Sequence, residues 1–218
     1  MSQIFKRQSN SILQASLLGI VGIAVALGIF WTAIKWSDWE TEVNIPIGQP
    51  VQFSHQHHVG GLGIDCRYCH TSVTKSPYAG IPPTHTCMTC HSQIWQGSPL
   101  LEPVRQSFAR YKPLEWNRVH RLPKFVYFNH SIHVNKVIGC TSCHGPIQTM
   151  PLTWQANSFY MRDCLTCHRE PEKYIRPQSE VFNVYWTAPT NQQELGSELV
   201  RKYHIPKERL TDCYTCHR

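Results

Sequence analysis

The chain has 218 residues, of which 41% are hydrophobic and 16% are charged, a composition that suits one globular domain with a membrane segment. Its formal net charge of +7 could indicate a protein that binds nucleic acid. The lysines and arginines form no clustered run, however, so we expect no nucleic-acid partner.

The N-terminal segment is the most apolar part of the chain. Residues 1–10 are polar, residues 11–34 carry no charge, and Lys35 ends the run. Because about 20 helical residues cross a bilayer, we predict a transmembrane anchor over residues 11–35. Three tryptophans at the far end of this run are typical of a membrane interface: Trp31, Trp36 and Trp39.

A cleaved secretory signal is the competing interpretation of this segment, because Ala24-Val25-Ala26 resembles a cleavage site. The uncharged run is longer than a usual signal core, which favours an uncleaved anchor. Lys6 and Arg7 would then hold residues 1–10 in the cytoplasm. Beyond a linker over residues 36–50, the bulk of the chain would lie on the periplasmic side of the inner membrane.

Five copies of one short motif use all ten cysteines, and each copy places a histidine directly after its second cysteine. We call them the first to fifth anchors: Cys66, Cys69 and His70; Cys87, Cys90 and His91; Cys140, Cys143 and His144; Cys164, Cys167 and His168; Cys213, Cys216 and His217. This is the attachment signature of c-type haem, in which two thiols bind the porphyrin and the histidine binds its iron. We therefore predict five covalently attached haem c groups.

Cysteine pairs also occur in zinc knuckles, thioredoxin-like redox pairs and disulfide scaffolds. None of these explains a histidine after every pair. Roughly 180 residues would have to cover five porphyrins, and the 15 prolines interrupt regular structure. The predicted fold is a multihaem cytochrome c, with one N-terminal transmembrane helix and an extracytoplasmic domain of short helices and extended loops wrapped around the haems, with little sheet. Haem propionates and ferric centres would lower the net charge to about +2.

The anchors are organised as a repeat. The string Phe53-Ser54-His55, followed by His58, aligns with Phe128-Asn129-His130, followed by His133. Two copies of a two-haem module are the simplest account of this spacing. Residues 51–127 would hold the first module and a connecting segment, and residues 128–218 the second module and a C-terminal fifth haem.

The histidine of each anchor is expected to be the proximal ligand of its iron. The candidates for the distal ligands, four from the paired strings and one just upstream of the second pair, are His55, His58, His130, His133 and His120. Surface or core roles suit the remaining histidines better: His57, His85 and His204.

Met150 and Met161 lie between the third and fourth anchors and could supply one His/Met site or pack in the core. We expect mostly bis-histidine haems with no open iron position. Such haems suit electron transfer and not substrate chemistry, so no catalytic residue is assigned.

These strings resemble known multihaem families. The F-x-H-x-x-H strings followed by CxxCH resemble the cytochrome c7 and c3 class over about residues 51–168. The whole layout, with one span, five anchors, the segment VHRLPKFVYFNHSIHV and the run MRDCLTCHREPE, resembles the pentahaem membrane-anchored subunit of bacterial alternative complex III.

That resemblance implies an electron-relay subunit of a respiratory or photosynthetic quinol-oxidising complex. Electrons from quinol, oxidised in an integral membrane subunit, would pass through an iron–sulfur subunit and these haems to a monohaem cytochrome c subunit or a terminal acceptor. One alternative is a membrane-anchored multihaem quinol dehydrogenase that feeds a periplasmic reductase. Another is a multihaem reductase of nitrogen or sulfur oxyanions, which an open high-spin haem would indicate.

Overall fold

The apolar N-terminal segment forms one long helix. In the computed structural model, which describes residues 6–217, helix α1 spans Arg7–Lys35. Its apolar stretch has a mean hydropathy of 2.4 and is exposed. The helix is long and apolar enough to cross a membrane, a test that a signal sequence also passes. Residues 1–5 lie outside the described residues, so the cytoplasmic location of residues 1–10 stays a prediction.

The chain divides into two compact units, Met1–Val43 and Asn44–Arg218. The first unit contains α1 and the short helix α2, Asp38–Thr41. The second unit contains all ten cysteines. The finer division of this unit into two haem modules stays a prediction.

Short helices joined by extended segments build the second unit. The α-helices of its described part are α3 (Cys66–Cys69), α4 (Thr84–His91), α5 (Glu102–Arg110), α6 (His130–Asn135), α7 (Cys140–His144), α8 (Met161–Arg169), α9 (Gln192–Lys202) and α10 (Cys213–Cys216). A π-helical turn covers Gln56–Gly61, and 3-10 turns cover Pro99–Leu101, Ile147–Thr149, Pro171–Lys173, Gln178–Glu180 and Lys207–Arg209. Within residues 6–217, no strand forms beyond an isolated antiparallel bridge between Ile138 and Ile175. The predicted helical fold with little sheet is confirmed.

Polar side chains start several of these helices. Asp65 accepts a hydrogen bond from the Arg67 N–H at 2.8 Å, and Asn129 accepts one from the Ile132 N–H at 3.4 Å. Such caps satisfy backbone donors that have no partner inside the helix. Gly145, with φ +67°, ends α7 in a conformation that favours glycine. Asp65 thus begins the helix of the first anchor, and Gly145 ends that of the third.

The hydrophobic core of the second unit is small. Val137, Ile175, Val181 and Leu199 form its buried cluster. The other buried apolar side chains in the described part of the chain are scattered: Val51, Val73, Val104 and Met150. A domain of this length usually buries a larger fraction of its surface, so apolar packing between side chains contributes little near the anchors.

Close packing at α9 leads to a stability prediction. A Cβ atom at Gly196 would overlap the backbone of Glu172, which belongs to a 3-10 turn and cannot move aside. We expect Gly196→Ala to destabilise the protein by about 1–3 kcal/mol, despite the better helix propensity of alanine. Thermal or guanidinium unfolding measures the change. Gly97→Ala, at a position with open space around the added methyl, is the control, and equal stability of the two variants would contradict the contact.

Candidate functional site: the five anchors

Each anchor lies on a helical turn or at the end of a helix. Helices α3, α7 and α10 begin at the first cysteine of their anchors, and residues three apart share one face of a helix. The two thiols of each pair therefore lie on the same side. None of the ten cysteines forms a disulfide, and Cys90 and Cys213 are exposed while the other eight are half-buried.

A hydrogen bond holds Nδ1 of every anchor histidine. The acceptors are backbone carbonyls for four of them: Gly80 for His70 at 2.6 Å, Ile94 for His91 at 3.3 Å, Leu210 for His168 at 2.8 Å and Phe125 for His217 at 3.1 Å. The fifth, His144, has the Nε2 atom of His120 at 3.1 Å. An imidazole that donates from Nδ1 keeps the Nε2 lone pair for a metal, and such outer partners orient metal-binding histidines.

The four histidines of the paired strings are held in the same way. Their Nδ1 atoms lie 3.0 Å from Thr153 Oγ1 for His55, 2.9 Å from Ser54 O for His58, 2.8 Å from Pro77 O for His130 and 2.8 Å from Asn129 O for His133. Each of these histidines also has Nε2 left for coordination.

The phenylalanine of each string supports both of its histidines. Phe128 stacks on His133 at 4.4 Å and meets the edge of His130 at 4.8 Å, between ring centroids. Phe53 repeats this with His58 at 4.5 Å and His55 at 4.9 Å. One aromatic ring thus fixes two imidazoles that point in different directions.

Three histidine pairs have the separation that two axial ligands of one iron require. Two imidazoles bound on opposite sides of a metal, each at about 2.0 Å, have ring centroids about 6 Å apart. The observed centroid distances are 6.2 Å for His58 and His91, 6.3 Å for His130 and His144, and 6.1 Å for His133 and His168. The donor set of these three anchors therefore fits a haem. When bound, haem would supply a one-electron redox centre, with the thiols and imidazoles as its attachment points.

The other predicted ligands are placed differently. His55 lies near His70, the histidine of the first anchor. At the fifth anchor, the ring of Phe125 contacts His217. Met150 is fully buried, whereas Met161 is 60% exposed. The exposed histidines are His57, His85 and His204. The assignments of distal ligands remain predictions.

His120 contacts His144 instead of facing it across the space for an iron. Their ring centroids are 4.3 Å apart in an edge-on arrangement, too close for two ligands of one metal. The hydrogen bond from Nδ1 of His144 to Nε2 of His120 favours a positioning role, and an axial role for His120 stays a prediction. 

We expect His120→Ala to keep every haem low-spin and to raise the reduction potential of one of them. Loss of the acceptor makes His144 a weaker electron donor, which disfavours the ferric state. Electron paramagnetic resonance and a redox titration measure the two effects. A new high-spin signal would contradict the positioning role and identify His120 as an axial ligand.

Burial sets the protonation of the site. It lowers the pKa of His144 to about 3 and the pKa values of His55 and His120 to about 4, and it also lowers those of His58 and His133. These imidazoles are therefore neutral at pH 7, as metal binding requires.

Burial raises the pKa of Cys167 to about 12 and raises that of Cys143. These thiols lack the depressed pKa of thioredoxin-like pairs. Within residues 6–217, there is no cluster of three or more His, Cys, Asp or Glu side chains that could bind a metal ion by itself.

Contacts place the anchors in a line whose order differs from their order in the sequence. The second anchor meets the first through Tyr68 Oη and Thr89 Oγ1 at 2.8 Å. The first lies beside the third, where the close approach of the Cys66 and Cys140 thiols lowers the pKa of Cys66 and raises that of Cys140.

Helix α6 joins the third anchor to the fourth, because its His130 faces His144 and its His133 faces His168. The fourth anchor meets the fifth through the hydrogen bond from His168 to Leu210. The spatial order is thus second, first, third, fourth, fifth. The only exposed cysteines of the ten, Cys90 and Cys213, belong to the anchors at the two ends.

Three features that support the anchor histidines and helices were not predicted from the sequence. The first is the packing of Phe53 and Phe128 against both histidines of their strings. The equal spacing of phenylalanine and histidines in the two copies of the repeat was a sequence signal for it. The second is the set of carbonyls that hold Nδ1, which carries no sequence signal because any residue supplies a carbonyl. The third is Arg176, a buried cation beside the third anchor.

Comparison with known proteins agrees with this geometry. Residues 126–218, which contain the third, fourth and fifth anchors, match the family described as cytochrome c7 and related cytochrome c. They form a cytochrome c7-like domain. The c7-like resemblance, predicted over about residues 51–168, is therefore confirmed where the two ranges overlap, over residues 126–168, and the matched region has the covalent haem anchors of a multihaem cytochrome c.

The cytochrome also has a curated relative in Nitratidesulfovibrio vulgaris (strain Hildenborough), the "Menaquinone reductase, multiheme cytochrome c subunit". The two are 31% identical over 125 residues, which are 57% of this chain and 56% of that protein. The match therefore spans little more than half the length of each.

Proposed function

We propose that this cytochrome is a membrane-anchored pentahaem electron-relay subunit of a quinone-linked complex of the alternative complex III type. The observation that carries this proposal is the continuous line of five anchors. Neighbouring anchors lie close through side chains, through the two histidines of helix α6, or through a carbonyl beside the next anchor, so haems bound there would be close enough to exchange electrons in sequence. No residue of the chain is assigned a catalytic role in this proposal.

The line supports a relay with two ends. Among the contacts within residues 6–217 described above, the second and fifth anchors each have a neighbouring anchor on one side only, and each has an exposed cysteine. A haem at such an anchor would approach the surface, where a partner could deliver or accept an electron. The three anchors between them have half-buried cysteines, which suits internal transfer steps.

The N-terminal helix supports a membrane location. A helix of 29 residues is longer than a bilayer core requires, and Lys35 follows the apolar run directly. We propose that the segment is an uncleaved anchor and that the haem domain lies on the periplasmic side. The partners would then be an integral quinol-oxidising subunit, an iron–sulfur subunit and a monohaem cytochrome c subunit.

The direction of electron flow has two candidates. The resemblance to alternative complex III favours quinol oxidation, with electrons leaving toward a cytochrome or terminal acceptor. The relative is named a menaquinone reductase, which favours the reverse flow from a donor into the quinone pool. The same line of haems serves either direction, since each haem is alternately reduced and oxidised.

Purification from native membranes in mild detergent tests the proposal. We expect larger membrane and iron–sulfur subunits to co-purify and the whole assembly to exchange electrons with a quinone. Adding quinol with a cytochrome acceptor, and then quinone with a reduced donor, shows which direction is faster. Quinol oxidation by the isolated chain at the rate of the assembly would instead support a self-sufficient quinol dehydrogenase.

A further inference from the structure

His55 is held by a different kind of group from the other three histidines of the paired strings. Its Nδ1 atom lies 3.0 Å from the hydroxyl of Thr153, a half-buried residue. The Nδ1 atoms of the other three lie 2.8 or 2.9 Å from backbone carbonyls. A carbonyl can only accept a hydrogen bond, whereas a hydroxyl donates or accepts one and is the weaker acceptor. Thr153 is thus the one side chain among these four contacts.

The two copies of the repeat differ at this point. The second histidines of the two strings are held alike, each by the carbonyl of the residue four positions earlier. The first histidines, His55 and His130, are equivalent in sequence but are held by the Thr153 hydroxyl and by the Pro77 carbonyl, respectively. The difference between the copies is therefore confined to the first histidine of each string.

Backbone hydrogen bonds fix the segment of Thr153 beside the first string. The N–H of Gln56, the residue after His55, donates to the Met150 carbonyl at 3.0 Å. The N–H of Ile47 donates to the carbonyl of Thr153 itself at 3.3 Å. The place of the hydroxyl is therefore set by main-chain contacts of its own segment.

The repeat also indicates which haem His55 serves. In the second copy, the first histidine of the string faces the third anchor and the second histidine faces the fourth. In the first copy, the second histidine, His58, faces the second anchor. By the same rule His55 serves the first anchor, whose His70 lies near it.

We propose that Thr153 is a positioning residue for the first haem and that its hydroxyl, by accepting a hydrogen bond from Nδ1 of His55, sets the reduction potential of that haem. With Nε2 of His55 bound to iron, Nδ1 carries the proton and the hydroxyl acts as the acceptor. A weak acceptor makes the imidazole a weaker electron donor than a carbonyl would, which disfavours the ferric state. The first haem then has a higher potential than a carbonyl at this position would give it.

This role rests on covalent haem at the first anchor and is independent of the partner complex and of the direction of electron flow. The test is a spectroscopic redox titration of the purified full-length cytochrome and four variants. Thr153→Val removes the hydroxyl and keeps the shape, Thr153→Ser keeps the hydroxyl, and Thr153→Asn offers an amide carbonyl in its place. Thr190→Val is the matched control, because Thr190 is an exposed residue of the turn before α9 and lies outside every anchor.

For Thr153→Val we expect about a threefold rise in the reduced-to-oxidised ratio of one haem at fixed ambient potential, equivalent to about 28 mV for a one-electron couple. Thr153→Asn should lower the ratio of one haem, whereas Thr153→Ser and Thr190→Val should leave all ratios near those of the wild type. Electron paramagnetic resonance should show only low-spin haem in these four variants. When added to His55→Ala, which should make one haem high-spin, Thr153→Val should cause no further shift.

Wild-type ratios in both Thr153→Val and Thr153→Asn would overturn the proposal, and so would shifts of the same sign in the two variants, which would indicate altered packing. A fully low-spin spectrum of His55→Ala would also overturn it, because His55 would then not be an iron ligand. If Thr153→Val does not accumulate, a lowered ratio in Thr153→Asn supports the proposal and an unchanged ratio decides against it. Co-purification with membrane subunits is measured separately, so failure here leaves the proposed relay function untouched.

Discussion

Replacing Cys140 and Cys143 together by alanine is expected to remove one haem and to stop electron flow through the protein. The third anchor lies between the first and the fourth, so its haem would be the intermediate site for electron transfer between the two halves of the line. Haem content should fall from about five equivalents to about four. The haems on either side would remain attached but could no longer exchange electrons with each other.

The measurement is quinone-linked turnover of the purified assembly, with haem content from the pyridine haemochrome. Cys213→Ala with Cys216→Ala is the matched control, because it removes one haem from an end and leaves the other four continuous. In the Cys140 and Cys143 variant, we expect stopped-flow measurements to show reduction of only the haems on the donor side. In the control, all four remaining haems should be reduced. Turnover at the wild-type rate in the variant would contradict the order of anchors.

The second large effect is expected at two adjacent histidines. His58→Ala should convert one haem to a high-spin, five-coordinate form that binds carbon monoxide, whereas His57→Ala should leave all haems unchanged. His58 faces His91 with ring centroids 6.2 Å apart and has its Nδ1 fixed by Ser54. His57 is exposed and stacks on Trp95 at 5.6 Å.

Electron paramagnetic resonance and carbon monoxide difference spectra measure this pair. The two variants each remove one imidazole, from neighbouring positions. A difference between their spectra therefore reports the loss of an iron ligand and not the loss of an imidazole in general. Equal spectra of His57→Ala and His58→Ala would show that neither residue is an axial ligand. A high-spin signal in His57→Ala alone would reverse the assignment.

The local features of this molecule could be predicted from its sequence. Cysteines three apart and an adjacent histidine define an anchor within five residues, and an uncharged run over residues 11–34 defines a membrane-length helix. Prolines and polar caps that confine the helices are local as well. These features depend on near neighbours in the chain, which the sequence shows directly.

The tertiary features could not be predicted in the same way. The first and third anchors lie close enough for Cys66 and Cys140 to shift each other's pKa, and no spacing in the sequence indicates this approach. His120 lies upstream of a paired string, which predicts an axial ligand, and its approach to Nδ1 of His144 through Nε2 has no signal in the sequence. The carbonyl acceptors and the buried position of Arg176 likewise depend on how distant segments pack.

The small apolar cluster around Val137 and Ile175 bears on the biogenesis of the protein. With so little side-chain burial elsewhere, the polypeptide before haem attachment should be an expanded chain, and each covalently added porphyrin should supply part of the missing apolar contact. Such a chain keeps all five CxxCH sites open to the attachment machinery until it is loaded. A molecule that fails to receive its full set should remain sensitive to proteases, so that degradation itself selects the completely loaded cytochrome.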